Sequence, residues 1–488
     1  MTKLDKEIKR IEQNIKKATN NNPDYVFKNM DFFQYELKIT FCESLCSRDI
    51  INRFVLDFLE EKKQDKLKIK DPISYFEENI PGHKVIKVND YYDLLYNLCS
   101  GFTIILIDGF EIAIAIETKG LLNSTVSNAI NETVLKGPND ALTENYQTNI
   151  GLIRRRIKSE HLWIEEETVG KSSKTKVAIL YMNNLASKEI VQNLREKIKT
   201  INIDAVIDGN YVVDTITGNT KHVFPTYLST ERPDLATVNL LEGKIVLLVE
   251  NSRLAIILPT LFVELFQNPE DLYQSPANAN YTRIVRYIAF FITMLTPAFY
   301  VAITTYNHET IPANLLVNFA TQRDGVPLPT ILEAILMLLT FDILRETDAR
   351  IPSIIGSSLS IVGALVLGDA AVTAGVVSPI MVIVIAITSI SGFILTYFEV
   401  TNGIRWWRLL FLIAAALAGM IGIIIVGLIF VLDLSSMKSL GVPYLTPVAP
   451  FIKKDIMGSL FVTRKSKFQK RKSFFTSKDT IRGKETNS

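Results

Sequence analysis

Hydrophobic and polar positions divide this chain sharply. Up to about Arg286 short apolar runs alternate with stretches rich in Lys, Glu, Asp and Asn. From Tyr287 to Leu432 the chain is overwhelmingly apolar, and after Lys453 it is basic and polar. A membrane-crossing helix needs about 20 mostly apolar residues. Tyr287 to Tyr306 meets this without a charge, with Pro297 as an expected kink, and Leu409 to Leu432 meets it as one long apolar run. Pro352 to Val400 carries only Asp369 and Glu399, enough for two passes or for one pass and a re-entrant piece. Thr330 to Leu344, with Glu333 and Asp342, reads as a helix shielded by its neighbours. The pattern predicts an all-α polytopic membrane domain of four to five spans.

The first half predicts an α/β soluble region of two subdomains. Phe102 to Asp108, Gly109, and Glu111 to Glu117 form a hairpin signal, Asp108-Gly109 suiting a tight primed turn. Lys244 to Glu250, Asn251-Ser252, and Leu254 to Pro259 repeat it. Val85 to Val88 and Lys176 to Met182 are further strands. Tyr91 to Cys99 and Lys188 to Lys199 are helical. Leu4, Ile8, Ile11 and Ile15 share one helical face, predicting a short amphipathic helix that packs on the domain. The boundaries that follow are 1–160 and 161–285 for the two soluble subdomains, 286–435 for the membrane domain and 436–488 for a basic tail.

Composition adds little as an average. The net charge of +2 and the 21% of charged residues sum unlike parts. Arg283 and Arg286 before the first span, and Lys453 to Lys472 after the last, put both termini on the cytoplasmic side; Arg405 and Arg408 then sit awkwardly outside. Cys42, Cys46 and Cys99 lack metal-ligand spacing and read as reduced structural thiols. His83, His161, His222 and His308 are scattered, and no phosphate loop, dinucleotide fingerprint or nucleophile elbow occurs. The sequence predicts no enzyme, cofactor, metal or nucleic-acid site.

Several long stretches resemble the A subunit of the GerA-type spore germination receptors. They are Glu132 to Lys158, with Gly137-Pro138 and Arg154, Arg155 and Arg156; Glu231 to Phe262; Asn268 to Tyr273 (NPEDLY); and Pro327 to Val384. The resemblance runs from about residue 35 to residue 452. It departs at Lys136 and at Asn139-Asp140-Ala141. It implies a multi-pass protein of the spore inner membrane that assembles with a multi-span, nutrient-binding B subunit and a lipoprotein C subunit. It further implies a homo-oligomeric ring, a pentamer, forming a nutrient-gated channel for monovalent cations. The rival readings are a transporter-like subunit and a non-conducting scaffold.

The candidate residues each carry two readings. Glu333 lies in an apolar helical run, where a carboxylate costs about 2.5–3.5 kcal/mol and must find protein, water or a partner charge. It is either a cation-attracting pore or gating residue or half of an ion pair with Arg345 or Arg350. Gly356, Ser360, Ala364 and Gly368 form a small-residue stripe that favours close helix packing, with Gly363 beside it. Ile361, Ala364 and Leu365 are candidates for a dewetting constriction, and Asp369 for a permeation role. Arg154, Arg155 and Arg156 are either a solvated or interdomain face or a subunit contact. The basic tail from Arg464 to Lys472 is an orientation signal or an attraction to membrane lipid.

Overall fold

The computed structural model describes residues 3–62, 71–80, 84–120, 128–129, 131–218, 222–348, 368–462 and 471–476. Two five-stranded antiparallel sheets organise the first half. Strands β1 (Tyr25–Phe32), β2 (Tyr35–Cys42), β3 (Val85–Val88), β4 (Phe102–Ile107) and β5 (Ala113–Glu117) are arranged β1-β2-β4-β5-β3. Strands β6 (Leu162–Val169), β7 (Thr175–Met182), β8 (Leu228–Thr230), β9 (Ile245–Val249) and β10 (Ala255–Leu258) repeat the order as β6-β7-β9-β10-β8. Each sheet is preceded by a helix, α1 (Ile8–Ala18) or α4 (Tyr146–Arg154). Each carries a helix before its last hairpin, α3 (Tyr91–Leu98) or α7 (Pro233–Leu241). Between their second and third strands lie α2 (Pro72–Asn79) in one, and α5 (Lys188–Lys199) and α6 (Gly209–Thr217) in the other. The related subdomains read from the two hairpin signals therefore share one topology.

The hairpin strands read as unbroken apolar runs because both sheet faces are covered. Ile104 and Leu106 pack under α1 and α3, with Ile8, Ile11 and Ile15. Ile105 and Ile107 face the other way, onto Phe58 and Phe76. Val246 and Leu248 likewise oppose Leu247 and Val249 in the second sheet. Edge strands β1 and β6 carry Lys28, Asp31 and Glu165 to Glu167, which blunts edge pairing and hides them from a hydrophobicity scan. The turn at Asp108-Gly109 is longer than expected: residues 108–112 connect β4 and β5, and Asp108 Oδ1 accepts the Ile8 amide at 3.3 Å, so it serves α1 instead of a two-residue turn.

The helical region comprises α8 (Pro276–Thr305), α9 (Ala313–Arg323), α10 (Thr330–Asp348), α11 (Pro379–Phe393) and α12 (Phe398–Ser436). Helix α8 continues past Pro297. Among the described residues two helices are long and apolar enough to cross a membrane, 276–305 and 399–436. Helix α10 carries Glu333 and Asp342, and α11 is shorter.

The run Leu409 to Leu432 is not one straight span. Gly419 leaves helical geometry (φ 60°, ψ −138°), and α12 folds back on itself there. Trp407 meets Phe430 with ring centroids 4.9 Å apart, and Phe411 meets the same ring at 6.5 Å. The end of α8 braces the turn: Tyr306 donates its hydroxyl to the Leu417 carbonyl (3.0 Å), and Asn307 Oδ1 accepts the Met420 amide (3.2 Å). Both arms return to the α/β region, through Gly403 against Phe224, His222 with Asp433 (2.8 Å) and Ser439 Oγ to the Thr226 carbonyl (2.6 Å). Arg405 and Arg408 consequently lie toward the α/β end.

At 1.5 Å per residue a straight helix would hold positions 407 and 430 about 35 Å apart. Oxidation of the Trp407→Cys/Phe430→Cys pair is therefore expected to give a cross-link within one chain, read as a mobility shift on gels. Absence of that cross-link, with both thiols reactive, would refute the folded-back helix.

Candidate functional site

Three of the stretches that carry the sequence resemblance, Glu132 to Lys158, Glu231 to Phe262 and Asn268 to Tyr273, meet where the α/β region joins α8. Asn268 caps the turn Pro269–Leu272, its Oδ1 accepting the Glu270 amide at 2.9 Å. That turn aims Asp271 at the start of α8. Arg283 Nε and Nη2 reach Asp271 Oδ2 at 3.2 and 2.9 Å; Arg286 Nη1 and Nη2 reach Oδ2 and Oδ1 at 3.0 and 2.8 Å. All three side chains are buried. Burial alone would raise the Asp271 carboxyl, but the guanidiniums of Arg286 and Arg283 hold it below its ordinary value. The second positive charge is met by carbonyls: Arg286 donates to Phe266, and Arg283 to Ser459 and Leu460. Arginines read as orientation signals are thus structural ion pairs.

A second buried hub, Arg232, ties the linker between the subdomains to the same place. It donates to the carbonyls of Glu132 (3.0 Å) and Pro138 (2.7 Å) and pairs with Asp234 (2.9 Å), which accepts the Tyr273 hydroxyl. The Tyr273 ring lies so close to Gly137 (φ 133°) that a Cβ there would approach it to 2.8 Å. Burial and Asp234 push the Tyr273 hydroxyl up to about 12. Glu132 accepts Thr230 Oγ1 (2.6 Å) and the Glu231 amide (2.9 Å), and burial pushes its carboxyl up to about 7.

The three consecutive arginines have three separate fates. Arg154, 0% exposed, leaves the end of α4 and enters the other subdomain. Its Nε lies 2.6 Å from Asp24 Oδ2, and Nη1 donates to the Tyr25 hydroxyl at 3.0 Å. A subunit contact through Arg154 is therefore corrected to a pin between the two subdomains; a helix turns about 100° per residue, and this position points inward. Arg156 chelates Asp140 at 2.7 and 2.8 Å, and Arg155 is exposed. The thiol of Cys42 donates to Asp24 Oδ2 at 3.0 Å in the same buried cluster.

In the helical region Glu333 is wholly buried at the far end from the α/β sheets. Its Oε1 accepts both the amide and the hydroxyl of Ser378, each at 2.5 Å. Ser378 is the N-cap of α11, so the carboxylate faces the positive end of a helix, in place of an ion pair with Arg345; Arg350 lies outside the described residues. Its Oε2 is buried and, among the described residues, has no hydrogen-bond partner. Asp342 instead holds Arg408 (3.2 Å) and Arg405 (3.4 Å), and the Arg345 guanidinium lies 5.4 Å over the Phe393 ring. Asp369 is exposed, and a Cβ on Gly368 would meet Val382 at 3.7 Å. Gly356, Ser360, Ile361, Gly363, Ala364 and Leu365 lie outside the described residues.

One part of the junction has no sequence signal. Glu264 sits between Lys244 (2.5 Å) and Lys472 (2.9 Å), and Phe475 is buried beneath both ammonium groups. Burial would raise the Glu264 carboxyl, but the two lysines pull it down to about 2. Lys472, read as part of a basic tail that orients the chain or meets membrane lipid, is folded into the second subdomain. No group of three or more His, Cys, Asp or Glu side chains suited to a metal occurs among the described residues. The chemistry available is mechanical: a dry, ion-paired joint linking subdomains, helices and tail.

Removing one partner of a buried ion pair leaves the other uncompensated, at about 3–5 kcal/mol. Asp271→Asn is expected to lower the thermal midpoint of the full chain in detergent far more than Asp455→Asn at the exposed tail helix; equal midpoints would contradict a supporting role for Asp271. Glu132 supplies a pH signature. Its folded value of about 7 exceeds the ordinary 4.5, so its stabilising contribution is full below pH ~4.5 and is lost as pH rises toward about 7. The midpoint of Glu132→Gln is therefore expected to gain on the parent between pH ~5 and ~8, by no more than about 3 kcal/mol in stability; parallel pH profiles would count against it.

The sequence model of the family described as Bacillus/Clostridium GerA spore germination protein matches residues 13–474. The chain is 34% identical over 472 residues to spore germination protein KA of Bacillus subtilis (strain 168), covering 96% of this chain and 86% of that protein. It is 33% identical over 450 residues to GerLA of Bacillus cereus, covering 92% and 91%. Among solved structures, the N-terminal domain of the A subunit of the Bacillus megaterium spore germinant receptor GerK3 aligns at 24% identity with a TM-score of 0.42, covering 54% of this chain and 98% of that one. With the family match spanning nearly the whole chain, this protein belongs to the GerA family of spore germination proteins.

Proposed function

We propose that the chain is the A subunit of a germinant receptor in the spore inner membrane, and that copies of it assemble into a ring, a pentamer, that opens a path for monovalent cations when nutrient binds. The nutrient is read by a multi-span B subunit, and a lipoprotein C subunit completes the receptor. The A-subunit role in spore germination follows from the family; the channel, its ring and its partners are the proposal. The helical region crosses the bilayer four to five times, with both termini cytoplasmic.

The observation that carries the channel reading is Glu333. A wholly buried carboxylate with one oxygen that has no hydrogen-bond partner among the described residues, in an apolar helix region, is costly, and a role in a pathway is a reason to keep it. Its position beyond the Asp342 pairs, at the N-terminus of α11, suits a group that attracts cations at a pore mouth. The ion-paired junction supports the gating part, because a motion of the α/β region is transmitted to α8 through Asp271 without a compliant linker. Asp369 and the residues around Ile361, Ala364 and Leu365 complete the proposed path, with Gly356, Ser360, Gly363 and Gly368 as its packing stripe and Arg155 as a subunit contact.

The test is potassium flux from liposomes holding the full receptor, read beside native mass spectrometry of the same preparation. Glu333→Gln is expected to change nutrient-triggered release about tenfold or more while complex levels hold, as loss of a pore carboxylate shifts ion entry by 1.4 kcal/mol or more. Unchanged release from intact complexes would remove Glu333 from the path. A receptor that passes no cations in any preparation would favour the scaffold reading.

A further inference from the structure

The chain after α12 does not behave as a free polar tail. It turns through residues 437–452, held by the Tyr444 hydroxyl on the Pro225 carbonyl (2.6 Å) and by the Phe262 amide on the Tyr444 carbonyl (2.9 Å). Helix α13 (Lys453–Leu460) follows and lies against the first half of α8. Arg283 donates to the carbonyls of Ser459 and Leu460, Asn280 exchanges two hydrogen bonds with the Val462 backbone (2.6 and 3.0 Å), and the Tyr287 hydroxyl reaches the Leu460 carbonyl at 3.3 Å.

These contacts fix the height of α13 along α8. Asn280, Ile284, Tyr287 and Phe291 stand on one helix face, at spacings of three and four residues. Helix α13 is held at Asn280, Arg283 and Tyr287. Ile284 beside these contacts and Phe291 one turn beyond Tyr287 are exposed and apolar. Helix α13 therefore sits at the foot of an open apolar surface. At the same place three large apolar side chains are exposed, Val448, Phe451 (72%) and Met457 (62%), with Lys453 and Lys454 exposed beside them. Phe451 in water loses stabilisation for no visible gain within the chain. Apolar side chains mixed with lysines at the edge of an apolar belt are the signature of a segment lying in a bilayer interface. The two ammonium groups match the negative surface of the cytoplasmic leaflet.

We propose that residues 444–462 form a membrane-surface collar: Val448, Phe451 and Met457 enter the acyl boundary while Lys453 and Lys454 engage anionic phospholipid headgroups. The collar is hydrogen-bonded to Arg283, which also holds Asp271, so headgroup engagement bears directly on the buried joint. This inference rests on the reading that the helical region lies in a bilayer, and the experiment separates the two.

Nitroxide labels are placed, one at a time, on Phe451→Cys, on Phe291→Cys at the open stripe of α8, and on Tyr96→Cys on the outer face of α3. The full chain carries Cys46→Ser, the other two thiols being buried. It is reconstituted in lipid discs of phosphatidylcholine, alone or mixed equally with phosphatidylglycerol. Collision with oxygen, which partitions into lipid, is compared with collision with a water-soluble nickel chelate. The label at 451 is expected to follow 291 and not 96. Its oxygen-to-nickel ratio is expected to rise several-fold in the anionic discs, and Lys453→Gln/Lys454→Gln to abolish that rise. A label at 451 that behaves like 96 while 291 is in lipid would overturn the collar alone. A label at 451 shielded from both reagents would assign the surface to another protein chain and also overturn it. Nickel access at 291 equal to that at 96 would overturn the bilayer reading itself.

Discussion

The α/β region, the first long helix and the returning C-terminal segment are joined at Asp271 and its two arginines. One carboxylate, presented by the capped turn after the second sheet, is shared between two arginines of the first long helix. One of those arginines also holds the returning C-terminal segment. Two guanidiniums and one carboxylate in a dry site are tolerable because the carbonyls of Phe266, Ser459 and Leu460 take up further donors. Such a cluster adds little net stability compared with apolar packing. What it does add is a single geometry, since any shift leaves charge uncompensated.

The α/β half prepares this joint by duplication. Two sheets of identical strand order, each covered on both faces, make rigid three-layer units. Arg154 bolts the first unit to the second through Asp24, and Arg232 gathers the intervening linker onto the turn at Tyr273. Side-chain contacts thus run from the first unit through the second to the foot of α8.

Helix α8 continues from this joint across the apolar region. Its 30 residues extend about 45 Å at 1.5 Å per residue, and about 33 Å of that runs from Arg283 to its end beside the turn of α12 at Gly419. Near that far end α11 begins at Ser378, with Glu333 as acceptor for its first amide. Helix α8 thus has an ion-paired foot at Asp271 and the buried Glu333 carboxylate near its head. The folded-back α12, packed along α8, stiffens it.

Periodicity alone determined the class of each region. The runs at Phe102 to Glu117 and Lys244 to Pro259 announced paired strands because a strand covered on both faces has no polar positions. Leu4, Ile8, Ile11 and Ile15 announced α1 because one helical face must be apolar. The extended motifs were enough to point to the family. Edge strands β1 and β6 stayed hidden because their charged positions blur any alternation. Tertiary structure alone decided that Leu409 to Leu432 turns back, since a glycine in an apolar run carries no signal until Tyr306 and Asn307 pack against it. It alone turned Arg154 inward, gave Glu333 a helix cap in place of an arginine, and brought Lys472 to Glu264 across 208 positions of chain. Pairing of that range is set by the packing of whole layers, and local sequence contains no term for it.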